Sequence, residues 1–362
     1  MQEQSNQMQA IVKQAYDFKT DGEPIFCYKY GSGHINTTYL LIDETARQYA
    51  LQKINQNVFR NPLAVMENVR AVTTFLGAQA TERRKALSLI PTKAGDDWLV
   101  DEDGEYWRLY NFVSDSICLQ LPETPEDFRE SGVAFGNFQR QLADFPADTL
   151  NETIPRFHDT PNRYTNFKKV LQADAHGRAK HVEREIEFAL AREEYAGTLM
   201  SLLKSGDIPL RVTHNDTKLN NVLFDRDTRK AICVIDLDTV MPGASANDFG
   251  DSIRFGASTG AEDEVDLSKV NFSLPMLEAY ASGFLYSCGA SITPCEKEHL
   301  RDGAKMMTLE CGVRFLTDYL DGDVYFGVKR EGHNLDRCRT QFKLVAEMEK
   351  CWDAMQRVIL EG

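Results

Sequence analysis

Apolar positions change their period partway along the chain. Up to about residue 113 they fall in short runs, at 26–30, 37–42 and 48–54. These runs are rich in aromatic and branched residues and bounded by Gly, Asp and Asn, which reads as strands. Residues 98–100 and 106–112 flank an acidic turn ending in Gly104, a hairpin pattern. Val69, Val72 and Phe75 share a helical face and predict a helix over 67–76, and 8–17 reads as a short amphipathic helix. The expectation is about five strands and one main helix.

Beyond Val113 the spacing becomes helical. It predicts helices over 128–145, 180–203, 274–286, 296–320 and 335–360. Two apolar runs, 222–224 and 231–235, are separated by turn residues and read as a hairpin. The expected fold class is α+β. A strand-rich N-terminal lobe (1–113) precedes a mainly helical C-terminal lobe (114–362), and the lobes meet near 111–116.

Composition narrows the function. The chain has 362 residues, 42% hydrophobic and 27% charged, as in ordinary globular proteins. With 41 Lys and Arg against 55 Asp and Glu, its net charge is −14, which argues against a nucleic-acid partner. The polar start has no secretory character, and no apolar stretch reaches about 20 residues, so a cytoplasmic location away from membranes is expected. The eight cysteines are scattered without a Cys-x-x-Cys pair, the pattern of buried thiols rather than a metal or disulfide framework.

The chemistry concentrates in 212–224, which contains His214-Asn215-Asp216-Thr217-Lys218-Leu219-Asn220-Asn221 before an apolar strand. Phosphoryl transfer needs a carboxylate to orient and accept the proton of the attacking hydroxyl, and oxygen ligands for Mg²⁺. Asp216 suits the first role and Asn221 the second, and Lys218 is spaced to face the transferred phosphate. Asp236 follows Asp216 by twenty residues, at the end of the next apolar run, and would complete the Mg²⁺ pair. A lone His-x-Asp is commonly a turn or cap. The ordered set Asp216, Asn221, strand, turn, strand, Asp236 selects the chemical reading. Asp248-Phe249-Gly250 spells the metal-binding tripeptide of protein kinases but follows a loop, and Asp248 reads instead as a helix N-cap.

Upstream, Gly31-Ser32-Gly33-His34-Ile35-Asn36-Thr37 lies between two apolar runs, where glycines let backbone amides approach phosphates. A Gly-Ser-Gly hairpin turn is the commoner use of such a run. In the next strand, Tyr49-Ala50-Leu51-Gln52-Lys53, alternation puts Ala50 and Gln52 on one face and Lys53 on the other. Gln52 thus stands where a phosphate-pairing lysine is expected. Either Lys53 reaches in through a bulge, or the site works without that charge.

These blocks, with Val234-Ile235-Asp236-Leu237-Asp238-Thr239, resemble the aminoglycoside phosphotransferase family of kinase-like small-molecule kinases. Further blocks narrow the resemblance to the N-acetylhexosamine 1-kinases within it: 33–39, 157–161, 213–221, 248–259 and 310–316. The resemblance implies a two-lobed protein-kinase-like fold with ATP and Mg²⁺ in the cleft, and phosphorylation of the anomeric hydroxyl of N-acetylglucosamine or N-acetylgalactosamine. By matching residues, it implies Asp216 as base and Asn221 and Asp236 as metal ligands. Gly31, Ser32, Gly33, Asn36, Thr37, Gln52 and Lys53 would meet the nucleotide. Arg314 and Tyr325 would meet the sugar, and Asp238 and His34 are the further candidates there. By its residue type, His34 is a loop donor to phosphate or sugar, or equally a surface residue. By the residues alone, Asp238 is equally a turn former, Arg314 is more commonly a structural ion pair, and His158 with Asp159 is more commonly a helix cap. Other acceptors (choline, homoserine, an aminoglycoside) and a catalytically dead binding protein stand as alternatives. A monomer is expected.

Overall fold

The computed structural model describes residues 13–31 and 35–361. Most of the 8–17 helix and the candidate residues Ser32, Gly33 and His34 therefore lie outside the described residues. Strands β1 (Pro24–Lys29), β2 (Thr37–Asp43) and β3 (Gln48–Lys53) precede helix α1 (Pro62–Gln79), followed by β4 (Leu99–Val100) and β5 (Tyr106–Asn111). They form one antiparallel sheet in the order β1-β2-β3-β5-β4. Helix α1 outruns the expected 67–76 because Asn61 caps it, accepting from the Ala64 amide, and Pro62 opens it.

Two-residue alternation divides the sheet. Tyr49, Leu51, Trp107 and Leu109 bury on one face with Leu41 and Cys27. Ala50 and Tyr110 face the other way, against Val65, Val69 and Val72 of α1. By the same period, Gln52 and Arg108 stand on the α1 side.

The remaining elements are β6 (Ser116–Cys118), α2 (Pro125–Gln141), α3 (Thr160–Ala173), α4 (Glu183–Leu190), α5 (Thr198–Ser205), β7 (Arg211–Thr213), β8 (Val222–Asp225), β9 (Ala231–Val234) and β10 (Met241–Gly243). Then come α6 (Ser245–Gly256), α7 (Leu274–Cys288), α8 (Pro294–Glu298), α9 (Leu300–Leu320), α10 (His333–Lys350) and α11 (Trp352–Glu361). The 222–235 hairpin forms as expected, with β6 adding a third strand to it, while β7 pairs with β10.

Three long helices of the expectation are broken. The 180–203 span splits into α4 and α5, because the intervening turn brings the Tyr195 hydroxyl to Asp302 at 2.7 Å and Arg192 to Glu349. Tertiary bonding here outweighs helix propensity. Spans 296–320 and 335–360 likewise break, at His299 and at Cys351.

The C-terminal core gathers Phe128, Phe135, Phe249, Tyr280, Phe284, Leu309 and Leu316. Within it α6 and α9 touch backbone to backbone. A Cβ on Gly250 would lie 2.2 Å from the Gly303 carbonyl oxygen, and one on Gly303 would lie 2.0 Å from that of Ala246. All eight cysteines are free thiols. No helix among the described residues is long and apolar enough to cross a membrane.

Gly303→Ala should therefore push α9 off α6 and cost about 1–3 kcal/mol, the usual scale of overpacking. Chemical denaturation checks this. A loss below about 0.5 kcal/mol, the scale of a neutral surface change, would show that the helices can separate freely.

Candidate active site

The loop from Thr213 to Asn221 is built by its neighbours. Buried Asp248 accepts from the amides of His214 and Asn215, both at 2.8 Å, and from Gln139 Nε2 at 2.9 Å. The Asn215 backbone, at φ 64°, turns the chain between them. One turn further along α6, Asp251 accepts from the Thr217 amide at 3.2 Å and from Arg254 Nε at 3.0 Å. Thr217 donates its hydroxyl to the Asp248 carbonyl oxygen at 2.6 Å, and Ser252 donates to that of Thr217.

Asp248 is therefore not the N-cap that its sequence suggested. Helix α6 already starts at Ser245, and both oxygens of Asp248 are taken by loop donors. Burial pushes its carboxyl up, while the amide bonds it accepts oppose that shift.

His214 is fully buried and sits edge-on to Phe135 and Phe138. Its Nε2 lies 2.9 Å from the Ile235 carbonyl oxygen and donates to it, which leaves Nδ1 to accept the Asp216 amide at 3.3 Å. One imidazole thus joins the Asp216 loop to the strand end that carries Asp236. Asn215 and Thr239 add bonds between the same two segments.

Asp216, Lys218, Asn221 and Asp236 come together as expected. Lys218 Nζ is 2.7 Å from Asp216 Oδ1. Asn221 Nδ2 donates to Asp216 Oδ2 at 3.0 Å and to the Asp216 carbonyl oxygen at 2.8 Å, so its Oδ1 is the atom left to face a cation. Asp236 adopts a left-handed conformation, φ 61° and ψ 61°. It is hemmed in by protein yet open to solvent through the cleft. Loss of surrounding water, with the like charges of Asp238 and Asp216 added, raises its carboxyl to about 6. Such crowding of carboxylates beside an amide oxygen fits a divalent cation, which would relieve the repulsion.

The nucleotide side departs from expectation. No bulge interrupts β3, and Lys53 pairs with Glu105 at 2.9 Å beside the Trp107 ring, on the face opposite Gln52. Strand alternation carries its amine away, so Lys53 is not a phosphate ligand in this arrangement. Gln52 faces inward and donates to Thr38 Oγ1 at 2.9 Å. Gly31 takes φ 76°, a backbone that favours glycine, and Thr37 pairs with Lys53 across β2 and β3. Asn36 donates to Asp238 Oδ2.

Asp238, expected at the sugar, turns to the N-terminal lobe instead. It is buried and ion-paired with Arg108, whose Nη1 lies 2.5 Å from Oδ1. Sequence reasoning missed Arg108. Its only mark there was a cation at an inward position of an aromatic strand.

On the far side of the loop, α9 and the start of α3 form a polar wall. Glu310 is buried, 3.0 Å from His158 Nδ1, and accepts from Thr160 Oγ1 at 2.7 Å. Burial alone would raise its carboxyl, but His158, Arg314 and the Thr160 bond hold it below its ordinary value. Arg314 lies over the Phe157 and Phe326 rings. Arg163 is pushed down by burial and by the Arg314 charge beside it. The expected cap at His158-Asp159 forms through Asp159, which accepts the Asn162 amide at 3.0 Å and caps α3, while His158 turns to Glu310. Tyr325 is exposed, with its amide bound to Asp318. His158 and Lys218 both act on Asp251, which links this wall to the Asp216 loop.

A two-lobed fold with a carboxylate-and-amide pair on its cleft floor defines a kinase-like phosphotransferase. Residues 29–282 match the model of the phosphotransferase enzyme family that includes the aminoglycoside phosphotransferases, and the chain belongs to that family. It is a phosphotransferase of the aminoglycoside phosphotransferase type. Three solved structures illustrate the shared fold. A microcompartment-associated aminopropanol kinase is 14% identical, with a TM-score of 0.62 over 96% of this chain and 98% of its own. An amicoumacin kinase, solved with AMP-PNP and Ca²⁺, is 12% identical, with a TM-score of 0.60 over 92% of each chain. A choline kinase from Cryptosporidium parvum is 13% identical, with a TM-score of 0.59 over 97% of each.

The two aspartates flanking the loop should respond oppositely in metal-free protein. Asp248→Ala strands two buried amides and the Gln139 amide, at about 1–3 kcal/mol per unpaired group. Asp236→Asn removes a crowded, solvent-open charge and should leave stability unchanged or higher. Denaturant unfolding of both variants checks this. Equal losses would mean that Asp248 does not clasp the loop.

Proposed function

We propose that the protein transfers the γ-phosphoryl group of ATP to the anomeric hydroxyl of an N-acetylhexosamine, N-acetylglucosamine or N-acetylgalactosamine, giving the sugar 1-phosphate. The observation that carries the sugar over other acceptors is the charge of the wall beyond the Asp216 loop. Arg163 and Arg314 stand beside buried Glu310, with His158, Asp159 and Asp251 in the same group. Choline and aminoglycosides are cations and would meet two guanidiniums there. A neutral sugar with an amide carbonyl finds hydrogen-bond donors, and the Phe157 and Phe326 rings offer an apolar surface for an acetyl methyl. The motif resemblance of 157–161 and 310–316 points the same way.

In this reading Asp216 orients the sugar hydroxyl and takes its proton. Lys218, paired to Asp216, holds positive charge at the transferred group. Burial would lower the Lys218 pKa, but Asp216 and Asp251 hold it raised, so it stays cationic. Asn221 Oδ1 and Asp236 would hold Mg²⁺, which supplies charge neutralisation to the polyphosphate when bound. Tyr325 sits at the rim and would close over the sugar. His34 remains a candidate donor to the sugar, and Gly31, Ser32, Gly33, Asn36 and Thr37 remain candidates for the nucleotide.

Incubation with MgATP and either N-acetylhexosamine should yield the 1-phosphate, identified by ³¹P NMR. Product at another hydroxyl, or turnover with choline, homoserine or an aminoglycoside alone, refutes the substrate. Asp216→Asn should lower turnover at least ~10²-fold, the scale of a positioned acid–base group. Melting temperature and MgADP affinity should stay near wild type, and joint loss of both would make Asp216 a structural turn residue instead.

A further inference from the structure

Gln52 leaves the cleft without the strand lysine, yet the same face carries a buried cation one strand over. Gln52 and Arg108 are direct cross-strand partners in the β3–β5 register. Arg108 is 1% exposed. Its Nε donates to Gln52 Oε1 at 2.9 Å, and Gln52 Nε2 donates in turn to Thr38 Oγ1 at 2.9 Å. Its Nη1 meets Asp238 Oδ1 at 2.5 Å and lies 3.8 Å from Met66 Sδ of α1. Asp238 Oδ2 accepts from Asn36, whose own Oδ1 accepts the Asn55 amide at 2.9 Å. The path runs from Thr38 through Gln52, Arg108 and Asp238 to Asn36, and ends two residues from where it began. It closes a ring across β2, β3, β5 and the turn Leu237–Thr239 that follows Asp236.

We propose that Arg108, through Asp238, is the positioning residue that sets the metal-binding turn against the N-terminal sheet, and that this pair takes over the electrostatic tie a strand lysine would otherwise make. The proposal rests on the kinase reading of the cleft but not on the identity of the sugar. A lysine at 52 would stand beside Arg108 and repel it, so a glutamine at that position is what the ring requires. Asp238 is two residues from Asp236, and the turn between them contains one left-handed residue and a short 3₁₀ segment. Holding the Asp238 carboxylate therefore fixes the direction in which Asp236 leaves the strand. A second tie from the same lobe acts just beyond: Asn68 Nδ2 of α1 donates to the Val240 carbonyl oxygen at 2.9 Å.

The pair is buried, so removing one partner alone strands a charge and risks unfolding. The variant to test is the double substitution Arg108→Met with Asp238→Asn, beside Arg108→Lys and wild type. Melting temperature reports folding. Calorimetric binding of ADP, with Mg²⁺ and separately with EDTA, reports the metal turn without relying on turnover. In the double variant the tightening of ADP by Mg²⁺ should fall at least about tenfold, the scale of lost outer-sphere support for a metal ligand. ADP affinity in EDTA should stay within about twofold, as a merely loosened fold would not allow. Arg108→Lys, which keeps charge but not the two-pronged fork, should lose a smaller part. A folded double variant with an undiminished Mg²⁺ effect overturns the proposal. If the double variant melts far below wild type, an undiminished effect in Arg108→Lys does the same. Failure of wild type to bind MgADP at all would overturn the kinase reading itself.

Discussion

A single carboxylate inside α6 carries more of the site than any group that touches the cleft. Asp248 accepts two consecutive backbone amides from the loop and a side-chain amide from α2. The two backbone amides have no strand or helix partner of their own, so the loop takes its shape while Asp248 is there to receive them. The helix that carries Asp248 is in turn pressed onto α9 through two glycines. The order of dependence runs from helix packing, to the position of one buried acid, to the backbone of the loop, to the direction of Asp216. His214 extends it to Asp236 by a single ring spanning both segments.

The cleft floor is a problem in like charges. Asp216, Asp236 and Asp238 crowd together, and two of the three are met by a basic side chain. Lys218 sits on Asp216 and Arg108 on Asp238. Asp236 has no ion-pair partner among the described residues, and loss of surrounding water with the charges of Asp238 and Asp216 raises its carboxyl against the more distant pull of Arg108. The fold thus neutralises two of three acids with its own side chains and leaves the third for a ligand. The arrangement costs folding energy while that ligand is absent, which is the usual signature of a binding site rather than of a structural cluster.

Much of this was legible in the sequence, and the boundary is physical. Asp216, Asn221 and Asp236 lie on short segments whose spacing is set by a local strand–turn–strand, so their order revealed their proximity. Strand parity also sorted Gln52 from Lys53, because side-chain direction in a strand alternates whatever the tertiary context. Arg108 was hidden because its meaning is a cross-strand relation, and nothing within β5 says which residue of β3 stands opposite. Asp248 was misplaced by one turn because capping preference is weak beside tertiary bonding. Asp238 read as a sugar residue or a turn former. Only the closing of the two lobes revealed Arg108 as its partner. The break between α4 and α5 was invisible for the same reason, since Tyr195 and Arg192 bond to distant Asp302 and Glu349.

The two sides of the site carry opposite signs, and that polarity bears on the direction of the reaction. A chain of net charge −14 nevertheless places two guanidiniums, Arg163 and Arg314, beside buried Glu310 beyond the loop, with Asp159 and Asp251 close by. Packing two guanidiniums close enough to depress one of them is unfavourable unless an electron-rich group arrives. A neutral sugar brings an amide oxygen and hydroxyl oxygens, which meet part of that demand. A phosphorylated sugar brings a dianion and meets more of it. On the proposed reading, negative charge leaves a floor that is already acidic and moves toward a wall that offers two guanidiniums. A cationic acceptor would lose binding energy at the wall before any chemistry began. On that reading, the wall that would disfavour choline and aminoglycosides is also the one that would stabilise charge appearing on the acceptor oxygen.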